Sequence, residues 1–266
     1  MGALVEEVVE QAVGRVIEFM RSSMGEQFTI DDMARAAMYS KFHFSRVFQR
    51  VTGVSPGRFL SAMRLQEAKR LLVSTTFTVT DISHRVGYTS VGTFSSRFRA
   101  SVGVSPTTYR QLGGFPPQTS ALVAASAPVG PLAEGGGLGE VRGRVGAPRG
   151  DLPGPIFVGL FPDLIPQGTP ARCTVLDRTG PYTITDVPPG TWHVLSTTAY
   201  PSFAGKPVRA AAEPPSVASA GPVTVPPGEL VERIDLDLRP RGALDPPVLL
   251  ALVDIRTIVL AATAAG

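Results

Sequence analysis

One unit of sequence occurs twice in the first half of this chain. Phe28-Thr29-Ile30-Asp31-Asp32-Met33 returns as Phe77-Thr78-Val79-Thr80-Asp81-Ile82, at an offset of 49 residues. One extra residue near Thr89 makes the offset 50. Phe44, Phe48, Gly53-Val54-Ser55-Pro56 and Phe59 then match Phe94, Phe98, Gly103-Val104-Ser105-Pro106 and Tyr109. Repetition at a fixed period marks a supersecondary unit that packs against its own copy. The first 112 residues therefore have to satisfy one local design twice.

That design is helical. Thr29 with Asp32, and Thr78 with Asp81, read as capping boxes with the acid shortened from Glu. They predict short helices over 30–37 and 79–86. Gly87 supplies a left-handed turn position, which Met38 occupies in the first copy. Ser40 and Ser90 are N-caps for the next helices, and Gly53 and Gly103 suit the position just past their ends. Ser55-Pro56 and Ser105-Pro106 restart a helix by the Ser N-cap, Pro N1 rule, the first running about 56–74. A short helix, a tight turn and a second helix make a helix-turn-helix. Ahead of both copies, a helix over about 4–21 is expected to pack Val8, Val13, Val16 and Ile17 onto the first unit.

Projection at 100° per residue separates the faces of the second helix in each copy. Phe44, Val47, Phe48 and Val51 gather in one arc of about 100°. Lys41, Phe42, Ser45, Arg46, Gln49 and Arg50 fall outside it. Arginine pairs with guanine edges or phosphates, an amide with adenine, and an aromatic ring meets a thymine methyl. In the second copy Phe94 and Phe98 hold the core face, while Val91, Gly92, Ser95, Ser96 and Arg99 face out and Arg97 lies at the flank. These small side chains are suited to positioning on a duplex more than to discriminating bases. The helix N-termini at Ser40 and Ser90 can direct free amides at phosphates. His43 and His84 read as packing or surface residues.

Charge supports the same partner. The whole chain carries +3, but residues 30–112 hold 12 basic against 4 acidic residues, a balance of +8. From Gly113 onward the count is 11 against 13, or −2. A basic block of this kind attracts a polyanion. One cysteine, Cys173, excludes an intrachain disulfide and a cysteine-rich zinc cluster. Three histidines make a multi-histidine metal site improbable, so no metal or cofactor is expected. No apolar run reaches the length of a membrane span, and the start lacks a signal-peptide pattern. A cytoplasmic address follows as the expectation.

Asp32-Met33-Ala34, Phe44-Ser45-Arg46-Val47-Phe48, Gly53-Val54-Ser55-Pro56, Arg64-Leu65-Gln66-Glu67-Ala68, Asp81-Ile82, Val86-Gly87-Tyr88 and Gly103-Val104-Ser105-Pro106 resemble the AraC/XylS family of bacterial transcription regulators. The resemblance covers about residues 1–112. It implies two helix-turn-helix units joined by a long helix, with recognition helices at about 41–51 and 91–101 placed in successive major grooves. The family often has Arg where this chain has Ser96, which weakens base reading by the second unit. The family also places its regulatory domain first, and this chain reverses that order.

Residues 113–139 are rich in Gly, Pro and Ala, and this composition predicts a flexible linker. From Glu140 the pattern alternates. Strands are predicted around Val141–Val145, Ile156–Leu160, Tyr182–Ile184, Trp192–Leu195 and Ile234–Leu238, divided by Pro/Gly turns. The stretch from Gly180 to Trp192 resembles the transthyretin-like, carboxypeptidase-regulatory-like β-sandwich family. Its hydrolase members end in a Tyr-Arg-Gly-Ser type tail with clustered histidines, features missing here. Cys173 reads as a small buried strand residue. The apolar tail from Pro247 to Ile258 is expected to pack on the sandwich or on a partner.

The fold class expected is therefore multidomain, α then β: an all-α double helix-turn-helix domain of seven helices, then a small antiparallel β-sandwich. The domains are 1–112, a linker 113–139 and 140–266. The function expected is a DNA-binding transcription regulator and not an enzyme. Its partners are double-stranded DNA, a small-molecule effector, RNA polymerase and a second copy of the chain, with no membrane. Two rivals stand beside it. An architectural protein would bind DNA without sequence choice. A repair enzyme transferring alkyl groups would need reactive cysteines near the reader, and residues 1–112 hold none.

Overall fold

A computed structural model of the chain describes residues 2–113, 137–148, 150, 153–198 and 215–249. Seven helices come first among them: α1 Gly2–Ser22, α2 Ile30–Ala36, α3 Lys41–Thr52, α4 Pro56–Ser74, α5 Val79–Arg85, α6 Val91–Val102 and α7 Pro106–Gln111. Nine strands follow: β1 Gly139–Gly146, β2 Pro153–Phe161, β3 Cys173–Arg178, β4 Gly180–Val187, β5 Gly190–Thr198, β6 Ser216–Val225, β7 Leu230–Val231, β8 Leu236–Asp237 and β9 Arg239–Pro240. The chain divides into two compact units. One holds the helices together with residues 242–249, the other the strands.

Both short helices start on complete capping boxes. The Thr29 hydroxyl accepts from the Asp32 amide at 3.3 Å while the Asp32 carboxylate accepts from the Thr29 amide at 2.7 Å. Thr78 and Asp81 repeat this, each backbone amide lying 3.1 Å from its carboxylate or hydroxyl acceptor. Gly53 and Gly103 take left-handed conformations that close α3 and α6. Ser90 and Ser105 cap with their hydroxyls, whereas Ser40 and Ser55 hold N-cap backbone geometry without a side-chain bond. Their helices still begin there because the extended backbone at the cap and the proline of α4 are sufficient.

The repeat extends into the core. Phe44 meets Phe48 edge-on at 5.5 Å, and Phe48 meets Phe59 of α4 at 5.4 Å. In the second copy Phe94, Phe98 and Tyr109 of α7 form the same chain at 5.7 and 5.6 Å. Each contact contributes about 0.5–1.5 kcal/mol beyond area burial. Each twelve-residue helix is thereby keyed to the helix that follows it. Arg110 closes the second copy, its Nε and Nη2 donating to the carbonyls of Leu72 and Phe77 at 3.0 and 2.6 Å. On α1, Val9, Ala12, Val13, Val16, Ile17 and Met20 are buried, and Val8 is 57% exposed. Val8 stands about 100° off that stripe, so its expected place in the core is corrected.

The strands form two sheets. One has the order β4-β1-β7, with β8 also on β1; the other runs β3-β2-β5-β6-β9. A single buried cluster draws on both, with Val141, Val145, Tyr182 and Ile184 from the first and Ile156, Val158, Leu160 and Val194 from the second. Tyr182 is buried in this cluster, and Trp192 packs against it with its indole donating to the Pro188 carbonyl at 3.0 Å.

The expectation of purely antiparallel pairing is corrected, because β7 and β8 run parallel to β1. Gly143 explains how they can. A Cβ there would lie 2.0 Å from the Ile234 carbonyl oxygen, so only glycine admits the returning chain. The Ile234 amide donates to Arg142 O at 3.1 Å, and the Tyr182 hydroxyl donates to Ile234 O at 2.6 Å. The predicted strand over 234–238 shrinks accordingly to Leu236–Asp237. Strand β6 was not predicted and β3 was foreshadowed only at Cys173, since Cys173-Thr-Val-Leu-Asp-Arg and Ser216-Val-Ala-Ser-Ala-Gly-Pro-Val-Thr-Val show no clear apolar alternation. Cys173 lies at the start of β3 but is half-buried, not buried. Of the predicted linker, residues 114–136 lie outside the described residues, as do 250–258 of the apolar tail.

Candidate nucleic-acid interface

The exposed side of α3 is built by the burial of its other side. Phe44, Val47 and Phe48 are buried, which turns Lys41, Phe42, Arg46, Gln49 and Arg50 to solvent. Ser45 is half-buried, and its hydroxyl donates back to Lys41 O at 2.9 Å. Lys41 pairs with Asp31 at 3.3 Å across the turn from α2. The side chains of Arg46, Gln49 and Arg50 make no hydrogen bond or ion pair among the described residues. Two guanidinium groups and one amide therefore face solvent on one helix face, a donor set suited to base edges and phosphates. Phe42, 81% exposed, adds an apolar element to the same face.

Helix α6 repeats the frame with different chemistry. Phe94, Phe98 and Val102 are buried; Gly92, Ser96, Arg97 and Arg99 are exposed, and Val91 and Ser95 are half-buried. Ser90 is exposed and accepts the Thr93 amide at 3.4 Å, so part of this helix's N-terminal donor capacity is already used. Arg97 is exposed like its neighbours. The predicted candidates on each helix thus share a surface with that helix's own partners. His43 is exposed and meets Tyr39 edge-on at 4.7 Å, and His84 is exposed on α5.

The turns that aim these helices differ. Gly87 in the second copy has φ +84°, and Met38 in the first takes φ +58° despite its side chain. Sequence reading located both positions and missed what surrounds Gly87. Gln27 Nε2 donates to its carbonyl at 2.9 Å, and Arg64 of α4 donates to the Glu26 carbonyl at 3.0 Å. No local pattern links position 64 to positions 26 and 87.

A helix-turn-helix domain model matches residues 33–112. The HTH-type transcriptional activator AarP of Providencia stuartii is 30% identical over 98 residues, covering 37% of this chain and 73% of AarP. The chain belongs to the AraC family of helix-turn-helix transcription regulators. Its DNA-binding and regulatory character follows from that membership. Among other relatives, the lactose operon transcription activator of Staphylococcus xylosus is 27% identical over 104 residues. This match covers 39% of this chain and 37% of that protein. The chain thus spans well under half the length of several curated relatives that it matches. A crystal structure of a probable AraC family regulator from Rhodopseudomonas palustris is similar at 30% identity and a TM-score of 0.36. It covers 39% of this chain and 97% of that one.

Elsewhere the described residues offer little chemistry. No group of three or more His, Cys, Asp or Glu side chains among them could hold a metal ion. No described helix is long and apolar enough to cross a membrane. Burial pushes the Cys173 thiol up to about 11, which keeps it protonated and unreactive near neutral pH.

Proposed function

We propose that this chain is a sequence-specific regulator that docks α3 and α6 in successive major grooves of one duplex. Their separation would then be about one helical turn, roughly 34 Å. The exposed face of α3 carries this reading, because Arg46, Gln49 and Arg50 stand there without partners among the described residues. Lys41, Phe42, Ser45, Arg46, Gln49 and Arg50 form the discriminating surface. Ser90, Val91, Gly92, Ser95, Ser96, Arg97 and Arg99 form the positioning one, and Ser40 opens the first helix toward phosphate. The β-rich unit acts as a small two-sheet sandwich that receives an effector or a second copy.

Selection from a random duplex pool tests the reading. The chain should enrich one site and prefer it over random duplex by about 10³-fold or more. Arg46→Ala should lose about 1–3 kcal/mol of discrimination at one base pair. Equal binding to all duplexes would instead describe an architectural protein.

A further inference from the structure

After β9 pairs with β6, the chain leaves the strands at Arg241, whose amide donates to Pro215 O at 3.0 Å. The next residues turn sharply. The Asp245 carboxylate accepts from the Gly242 amide at 2.7 Å. Residues 242–249 then belong to the helical unit, where Pro247 is buried and Leu249 is fully buried. Lys69 of α4 donates from Nζ to the Leu249 carbonyl at 3.0 Å, across 180 residues of sequence. A lysine on a helix surface ordinarily carries its ammonium out to water. Here the head group is covered, and desolvation brings its pKa down to about 8.

Helix α4 is the element that joins the two copies of the repeat, and it packs against α3, α5 and α7. A segment fastened to α4 therefore lies on the one helix that both copies pack against. That segment is continuous at Arg241–Gly242 with the strand β9.

We infer that residues 242–249 are a releasable strap on α4, and that strap docking and two-groove binding of DNA favour one another. This rests on the reading of α3 and α6 given above. Docking two recognition helices at once requires a fixed spacing, and a brace on the joining helix removes freedom that binding would otherwise have to remove. The coupling is reciprocal: DNA tightens the strap by the factor by which the strap tightens DNA.

Hydrogen exchange on the full chain, read by mass spectrometry, follows residues 242–249 with and without the selected duplex. Leu249→Asp should speed exchange in this segment without DNA and weaken binding to the two-site duplex about tenfold. A duplex with its second half scrambled should lose much less. Lys69→Met, which keeps the aliphatic stem and removes the donor, should act in the same direction. Leu249→Met should behave as wild type. Thermal melts of each variant confirm that the helical unit stays folded.

Unchanged exchange in both Leu249→Asp and Lys69→Met would show that no strap is docked. Faster exchange with unaltered or tighter two-site binding would show that the strap does not brace the reader. A wild-type chain without duplex preference would remove the reading of α3 and α6 and this coupling with it. Strap exchange in the DNA-free protein reports docking independently of that result.

Discussion

Arg64 fills the space that any side chain at position 87 would need. A Cβ on Gly87 would lie 2.5 Å from Arg64 Nη2 and 2.5 Å from the Met24 carbonyl oxygen. The long helix α4 thus reads the turn of the second repeat directly, through a guanidinium that also donates to Glu26 O. Gly87→Ala should destabilise the helical unit by about 2 kcal/mol or more, from left-handed strain and steric conflict together. Denaturant unfolding measures it, and a loss below about 0.5 kcal/mol would show that Arg64 swings away freely.

Met38 holds the equivalent turn of the first repeat at φ +58° with its side chain 81% exposed. It gains little burial to set against its left-handed strain. Met38→Gly should raise stability by about 0.5–1 kcal/mol, the larger unfolded-state entropy of glycine offsetting part of the relief. The melting temperature should rise. A fall would mean that the methionine side chain contributes packing.

Acid should loosen both caps. The amide and hydroxyl of Thr29 hold the Asp32 carboxyl below its ordinary 3.8, and the hydroxyl and amide of Thr78 do the same for Asp81. A carboxylate with a depressed folded pKa contributes stability above its unfolded value and loses it as pH falls through the folded one. Asp32→Asn and Asp81→Asn should therefore melt below wild type at pH 6, with the gap closing toward pH 2. A gap of constant size across that range would assign the effect to packing.

Ser96 stands exposed on α6 at the position that matches Arg46 of α3. Ser96→Arg should add about 1–3 kcal/mol of discrimination at one base pair in the second half of the selected site. A uniform gain on random duplex would assign the new arginine to a phosphate.

Much of the helical unit was legible in the sequence because its punctuation is local. Thr29, Asp32, Thr78, Asp81, Gly53 and Gly103 act within one turn of their own helix, where spacing alone fixes the hydrogen bond. The exposed faces of α3 and α6 were legible for the same reason, since helical period sorts Phe44 and Phe48 from Arg46 and Arg50. The β-rich unit was read less well. Cys173–Arg178 and Ser216–Val225 become strands through their neighbours, having no alternation strong enough to announce them.

Sequence by itself determined the repeat, its caps and turns, and which side of each twelve-residue helix meets solvent. These follow from hydrogen bonds and apolar periods that close within a few residues. Tertiary structure decided that Arg64 seals the turn at Gly87, that β7 and β8 lie parallel to β1 across Gly143, and that residues 242–249 return to Lys69 on α4. Each of those joins groups tens to hundreds of residues apart, and only the folded chain brings such partners within reach of a short-range force.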